Sequence, residues 1–303
     1  MKITYKYWFL LLFLSLIWGS SFVLMKIGMY SPSGTPVFNS NQVATLRILL
    51  SSIVLIPFGI VALKRNSIKK DLAYFIIVAL CGNIIPAFLF TYAETGISSG
   101  FAGMLNSMTP IFTIFIGFGF FKIKLSWMQI TGSIIGSIGV VLLLYFGKTI
   151  SLNGDWAHII AVVGATLCYA ISLSVIRYKL SHYKSIDIAS IAFMLLLIPC
   201  MFLFIQEKTW VVFESNQYAM DSFIAISILG IIGTAFALFL FNHIIKNTSA
   251  LFASSVTYFI PIVAVTIGFI YGELISFEQI ISMFIVLAGV FIANFRQQEK
   301  YTD

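Results

Sequence analysis

Charged side chains are scarce in this chain: Asp, Glu, Lys and Arg make up 10% of its 303 residues, against about a quarter in soluble domains. That scarcity, with 60% hydrophobic residues and a mean hydropathy of +1.01, excludes an ordinary soluble fold. Cysteine is nearly absent as well. Cys81, Cys168 and Cys200 each lie inside an apolar run, which leaves neither a disulfide framework nor a thiolate site, and no metal is expected. There are three histidines, of which His243 falls inside an apolar run. There is no His-Glu-x-x-His, no Gly-x-Ser-x-Gly and no carboxylate pair at membrane depth, so no catalytic residue and no enzyme activity is expected. Gly147-Lys148-Thr149 looks like the end of a phosphate-binding loop, but Leu142 stands where that motif needs its first glycine. No cofactor is expected.

What the chain has in quantity is apolar runs of about 20 residues, each enough to cross a hydrocarbon core about 30 Å thick. The first, Trp8 to Ile27, follows Lys2 and Lys6 in the manner of a signal peptide. It exceeds an h-region of about 7 to 15 residues, and further runs follow it, so it reads as a retained helix. The others in the first half are Gln42 to Ala62, Leu72 to Ala93, Phe101 to Phe121 and Leu125 to Phe146. The second half has Trp156 to Ile176, Ile186 to Ile205, Phe223 to Ile245, Ala250 to Tyr271 and Phe277 to Phe295. Backbone groups in lipid must be satisfied within each crossing, and the alternation of a membrane barrel is absent. The expected fold is an all-α polytopic membrane protein with ten transmembrane helices.

The two halves are copies. Phe101, Ala102, Pro110, Ile111, Ile116, Gly117 and Phe118 recur 151 residues later as Phe252, Ala253, Pro261, Ile262, Ile267, Gly268 and Phe269. Past Lys122 the offset drops to 150, with Ser126, Gln129 and Gly139 recurring as Ser276, Gln279 and Gly289. The repeats are therefore 1–148 and 149–303, with five runs each. An odd number of crossings inverts the second copy relative to the first, and inverted repeats place a binding site near the midplane between them. Lysine and arginine in short loops set orientation. With the N-terminus cytoplasmic, the inside segments hold fourteen such residues and the outside loops two, Lys148 and Lys208. Both termini are expected in the cytoplasm. This asymmetry accounts for the net charge of +7 and leaves a nucleic-acid partner without support.

Two cations remain, Lys26 and Arg47, inside or at the outer ends of the first two runs. Charge at this depth needs a partner or a route to the interface. The acid nearest in depth is Glu94, so Lys26, Arg47 and Glu94 are the candidate gate or ion pair; helix-end packing is the plain alternative. Polar and aromatic residues at mid-depth supply the candidate substrate cavity: Trp18, Asn83, Tyr92, Tyr169, Asn242, His243 and Tyr258. Within it Tyr92 pairs with His243, and Trp18 with Tyr169, at the repeat offset. Helix-to-helix glue is the plain reading of any one of them. Gly132, Gly136 and Gly139 form a small-residue face for close packing. Pro110 and Pro261, at equivalent positions, are the candidate helix hinges.

Several segments resemble a known family. Trp18-Gly19-Ser20-Ser21-Phe22, Leu46-Arg47, the Pro110 segment with Gly132 and Gly139, and in the second copy Pro261, Gly272-Glu273-Leu274 and Gly289 look like the EamA-type transporters of the drug/metabolite transporter superfamily. The resemblance covers nearly the whole chain. It implies ten helices with both termini inside, and export of small metabolites, amino acids or drugs without a bound cofactor. The first copy has Phe121-Lys122-Ile123-Lys124 in place of the family's Gly-Glu-Arg-like turn, so a role for that glutamate carries only to Glu273. The expectation is a multi-pass secondary transporter of the cytoplasmic membrane, acting as a monomer on a small-molecule substrate by alternating access. An uptake permease of the same fold, or a channel or scramblase, are the alternatives.

Overall fold

A computed structural model describes residues 5–147, 156–248, 252–253 and 255–299. Among the described residues there is no β-strand, only an isolated bridge between Tyr30 and Pro36. The helices are α1 Tyr5–Met29, α2 Ser40–Arg65, α3 Leu72–Ala93, α4 Ser99–Phe121, α5 Trp127–Gly147, α6 Trp156–Lys179, α7 Ser185–Gln206, α8 Ala219–Ile244, α9 Val256–Ile270 and α10 Phe277–Glu299. Eight of them, α1 to α8, are long and apolar enough to cross a membrane; α9 and the apolar stretch Phe277–Ala293 of α10 are shorter. The chain is a multi-pass membrane protein. The expected run Ala250 to Tyr271 corresponds to a helix that starts at Val256, and residues 249–251 and 254 lie outside the described set, as do the expected repeat boundary and Lys2, Lys148 and Lys300.

Helix starts follow the short polar residues between the runs. Asn39 and Gln42 close a capping box on α2, each side chain accepting from the other's backbone N–H at 2.8 and 2.9 Å. Ser126 with Gln129, and Ser276 with Gln279, do the same ahead of α5 and α10. These two Ser-x-x-Gln boxes are repeat equivalents, so the capping chemistry was duplicated with the helices it starts.

The long runs are not uniformly α-helical. α4 is interrupted at Ser107 and Met108, between Ser99–Asn106 and Thr109–Phe121. Pro110 therefore lies in the first turn of the second segment, where no intrahelical N–H bond exists for it to remove. Pro261 lies inside α9. The two prolines expected to act as equivalent hinges thus occupy different helical environments. α3 and α8 each contain a π-helical segment, Leu80–Ile84 and Ile228–Phe236.

Small residues set the tightest helix contacts. Gly132, Gly136 and Gly139 on α5 pack against α10, where a Cβ on Gly139 would stand 2.6 Å from the backbone N of Val286, and one on Gly289 would strike the Gly136 backbone. Gly103 on α4 packs against Ala264 on α9. α2 and α7 are joined by an ion pair between Arg65 and the buried Asp187, which also accepts from Asn66 Nδ2 at 3.0 Å.

Candidate functional site

A polar cluster in the apolar body joins the two copies. Glu273 follows Gly272, whose φ of +82° ends the turn after α9, and its backbone N–H donates to Gly268 O at 2.9 Å. This turn presents the Glu273 carboxylate to the N-terminus of α4. Its Oε1 accepts from Lys26 Nζ at 2.9 Å and from the Ser99 amide at 2.7 Å, and its Oε2 accepts from the Gly100 amide at 2.8 Å. Two amides with no partner inside their own helix, at the positive end of its dipole, thus meet a carboxylate. Burial would raise the Glu273 carboxyl, but Lys26 and the two amides outweigh it and hold it below the usual carboxylate range.

Glu94, just beyond the last residue of α3, is the second acid here. Its Oε2 accepts from Ser99 Oγ at 2.7 Å and lies 3.9 Å from Lys26 Nζ. Its Oε1 is buried with no hydrogen-bond partner among the described residues. Burial is the largest influence on this carboxyl and raises it to about 8, against the pull of Lys26 and Ser99 and with repulsion from Glu273. Lys26, Glu94 and Glu273 thus form a clasp of one cation and two acids, in which Glu273 is the ionised partner.

Arg47 stands apart from the clasp. Its Nε donates to Thr234 Oγ1 at 3.5 Å, and Nη1 lies 4.0 Å from Met25 Sδ. Thr234 sits on the π-helical segment of α8 and donates to Leu229 O, five residues back, at 3.2 Å. Asn83 sits at the equivalent place on α3 and donates to Val78 O, also five residues back, at 3.1 Å. A π turn leaves carbonyls without the usual α-helical donor, and in both copies a polar side chain takes one of them.

Of the other cavity candidates, Trp18, Tyr169 and Tyr258 pack on one apolar cluster. Trp18 is 5.4 Å from Phe241, and Tyr169 is 5.9 Å from Phe90. Tyr258 donates to Val290 O at 3.3 Å. Asn242 spends its amide on Leu238 O of its own helix, at 2.7 Å. Tyr92 and His243 are both exposed: Tyr92 stacks on His158 at 4.8 Å, and His243 lies 6.4 Å from Tyr7. Three of the seven therefore share one wall, while Asn83 belongs to the α3 bulge. A groove of about 460 Å³ runs between α4 and α5, lined by Phe115, Ile134, Ile138 and Val141 among others and by none of the seven. Those four side chains are exposed, and such a surface suits lipid tails.

Sequence reasoning missed Glu273 as the partner of Lys26, because the two are 247 residues apart. The signal available was the change of repeat offset beside Gly272-Glu273. It also missed the π segments, for which Asn83 and Thr234 at one repeat offset, inside apolar runs, were the trace.

Comparison with known proteins agrees with this architecture. The EamA-like transporter family matches twice, over residues 6–145 and 156–295. Protein PagO of Salmonella typhimurium is 25% identical over 290 residues, covering 93% of this chain and 91% of its own. The uncharacterized transporter YoaV of Bacillus subtilis is 24% identical, covering 93% and 94%. The uncharacterized inner membrane transporter YedA of Escherichia coli K12 is 26% identical, covering 93% and 88%. A solved crystal structure of another protein superposes with a TM-score of 0.58 over 96% of this chain and 98% of its own, at 15% identity, which speaks to the fold alone.

Proposed function

The chain belongs to the EamA-like transporter family, and from that premise we propose that it is a secondary transporter that exports a small, partly polar organic solute by alternating access. In this reading ten helices form two inverted five-helix units, 1–148 and 149–303, with both termini in the cytoplasm. The protein works as a monomer in the cytoplasmic membrane, and an ion gradient or the solute's own gradient drives net movement. The names of the relatives point the same way, to membrane transporters and not to enzymes.

The observation that carries the reading is the clasp. Lys26 belongs to the first copy and Glu273 to the second, and their 2.9 Å contact ties the halves together at one end of the apolar body. A contact between halves that can open and re-form is what alternating access requires. The fourteen-to-two distribution of cations supports a reading in which this end faces outside. Aromatic walls at Trp18, Tyr169 and Tyr258 suit an organic solute better than a bare inorganic ion, whose route would carry rings of charge.

The test uses Lys26→Cys with Glu273→Cys, in a background lacking Cys81, Cys168 and Cys200, reconstituted in liposomes. Cross-linking the pair should stop solute counterflow, and reduction should restore it. Flux that continues through the cross-linked protein defeats alternating access at this clasp. A cysteine at Ser67 labelled by an impermeant reagent in intact cells would invert the proposed topology.

A further inference from the structure

Arg47 is a cation placed inside a membrane-spanning helix with no acid beside it among the described residues. The residues around it show how unusual this is within the molecule. Lys26 on α1 has Glu273, and Arg65 at the far end of α2 has Asp187. Among the described residues no carboxylate lies within 4.0 Å of Arg47. A guanidinium carries five N–H donors and accepts nothing. Its partners here are one hydroxyl at 3.5 Å, the outer limit of a hydrogen bond, and one thioether sulfur at 4.0 Å. Most of its donors are left for something else, and a charge in this zone is costly unless it is met.

The surroundings fix the backbone beneath this group. Ser51 Oγ bonds to the carbonyls of both Arg47 and Gly230, at 2.7 and 2.9 Å, and a Cβ on Gly230 would stand 2.9 Å from Arg47 O. The root of the side chain is thus fixed by the contact of α2 with α8. Thr234, on the π segment, points its hydroxyl oxygen at the guanidinium. The phenol of Tyr169 lies within electrostatic range of it. Met25, whose sulfur Arg47 approaches, is the residue before Lys26, so Arg47 meets α1 one residue ahead of the clasp without touching it. The aromatic wall begins at Tyr169 and continues through Phe90 to Phe22.

We propose that Arg47 is the anchor for a carboxylate on the transported solute, with Thr234 beside it and the aromatic wall that begins at Tyr169 taking the organic remainder. This rests on the transport reading above and narrows its solute to small organic acids and zwitterionic amino acids. A carboxylate matches the planar fork of the guanidinium with two parallel hydrogen bonds, which a lysine cannot reproduce.

Binding and flux are read separately, so that this inference and the transport reading can fail independently. Purified protein in detergent is melted with L-phenylalanine, L-leucine, 3-phenylpropionate and benzoate, each beside its carboxamide. One or more carboxylates should raise the melting temperature saturably and its amide should not. Arg47→Gln should lose that shift while its ligand-free melting temperature stays at or above that of the native chain, because an unmet charge has been removed. Arg47→Lys should weaken the apparent affinity at least tenfold. Shifts of equal size with acid and amide, no shift with any acid, or a shift kept in Arg47→Gln would each overturn the proposal. So would a ligand-free Arg47→Gln that melts several degrees lower, since that marks a structural tie through Thr234. In liposomes the same labelled acids should be carried. If they bind through Arg47 but are not carried, the anion site stands and the transport reading falls.

Discussion

The turns that follow α4 and α9 began as copies and no longer do the same thing. Both end on a residue with positive φ, Lys122 at +52° in the first and Gly272 at +82° in the second. Both return the next amide to an equivalent glycine, Ile123 N–H to Gly117 O and Glu273 N–H to Gly268 O. The first turn contains one more residue than the second, and the amide that returns belongs to an isoleucine in one and a glutamate in the other. So Ile123, not Lys122, is the structural counterpart of Glu273. Only the second turn can hold a cation on the neighbouring α1 and cap a neighbouring helix. Arg177, which matches Lys26 in the second copy, stands instead over the ring of Tyr178 at 5.4 Å. The lesson is that duplication supplied the scaffold, while one residue of turn length and one side chain made the two ends of the protein different.

The sharpest way to break the comparison is to remove the acid that one turn has and the other lacks. Glu273→Ala leaves Lys26 and the Ser99 and Gly100 amides unmet, and should cost about 3 kcal/mol, the scale for losing one partner of a buried pair. Ile123→Ala, at the matching place, should cost about 1 kcal/mol for a partly exposed side chain. Thermal denaturation of both variants in detergent checks this, and equal losses would erase the asymmetry. Next in size is Gly289→Val. The α5 and α10 backbones touch here, and overpacking should cost about 2 kcal/mol, again seen as a lower melting temperature. A third comparison sets the π segments side by side. Asn83→Leu and Thr234→Val each remove a hydrogen bond inside the membrane, worth about 0.6 kcal/mol. The melting temperature should fall slightly in both, and further in Thr234→Val if Arg47 also loses a partner it needs.

A further comparison is a pH slope set by the two acids of the clasp. Glu94 is raised when folded, to about 8, so the folded state holds its proton more tightly. Its contribution is fully present below the unfolded carboxyl range and is lost as pH rises toward 8. Glu273 is lowered, so its contribution is present above the unfolded range and is lost as pH falls below it. Glu94→Gln should flatten the decline between about pH 5 and 8 and leave the acid side intact. A melting curve against pH in which Glu94→Gln follows the native chain throughout that window would show that Glu94 is not held protonated.

The fold was legible in the sequence to the extent that it is written in long apolar runs and repeated residues. The runs at Leu72 to Ala93 and Trp156 to Ile176 match α3 and α6 to within a few residues, because length and hydropathy alone decide them. The Ser-x-x-Gln boxes were visible as repeat identities without their capping role. Other features hide because they depend on backbone register. Nothing in Leu80–Ile84 reads as other than helix. Pro86 follows that π segment and invites blame for it, but Ala237 stands at the equivalent place in α8, where the π segment is longer. Comparison of the copies therefore favours the side-chain bond five residues back over the proline as the common cause. At the site, Lys26 and Glu94 were named from depth, and depth cannot rank two acids whose difference lies in hydrogen bonds made by backbone amides.

The π segments also change which way a helix faces. One extra residue in a turn of 3.6 sets everything beyond it about 100° out of phase with what came before. On α3 the buried Phe75, Val78, Ala79 and Ala87 belong to one apolar cluster, shared with Leu55 of α2 and Phe193 of α7. Phe90 and Ala93, further along the same helix, belong to another, shared with Leu14 of α1 and Val256 of α9. Ala87 lies past the π segment yet shares the core of Phe75, so the extra residue returns it to that face, and the change of core falls between Ala87 and Phe90. A single helix is thereby built into two packing units at once.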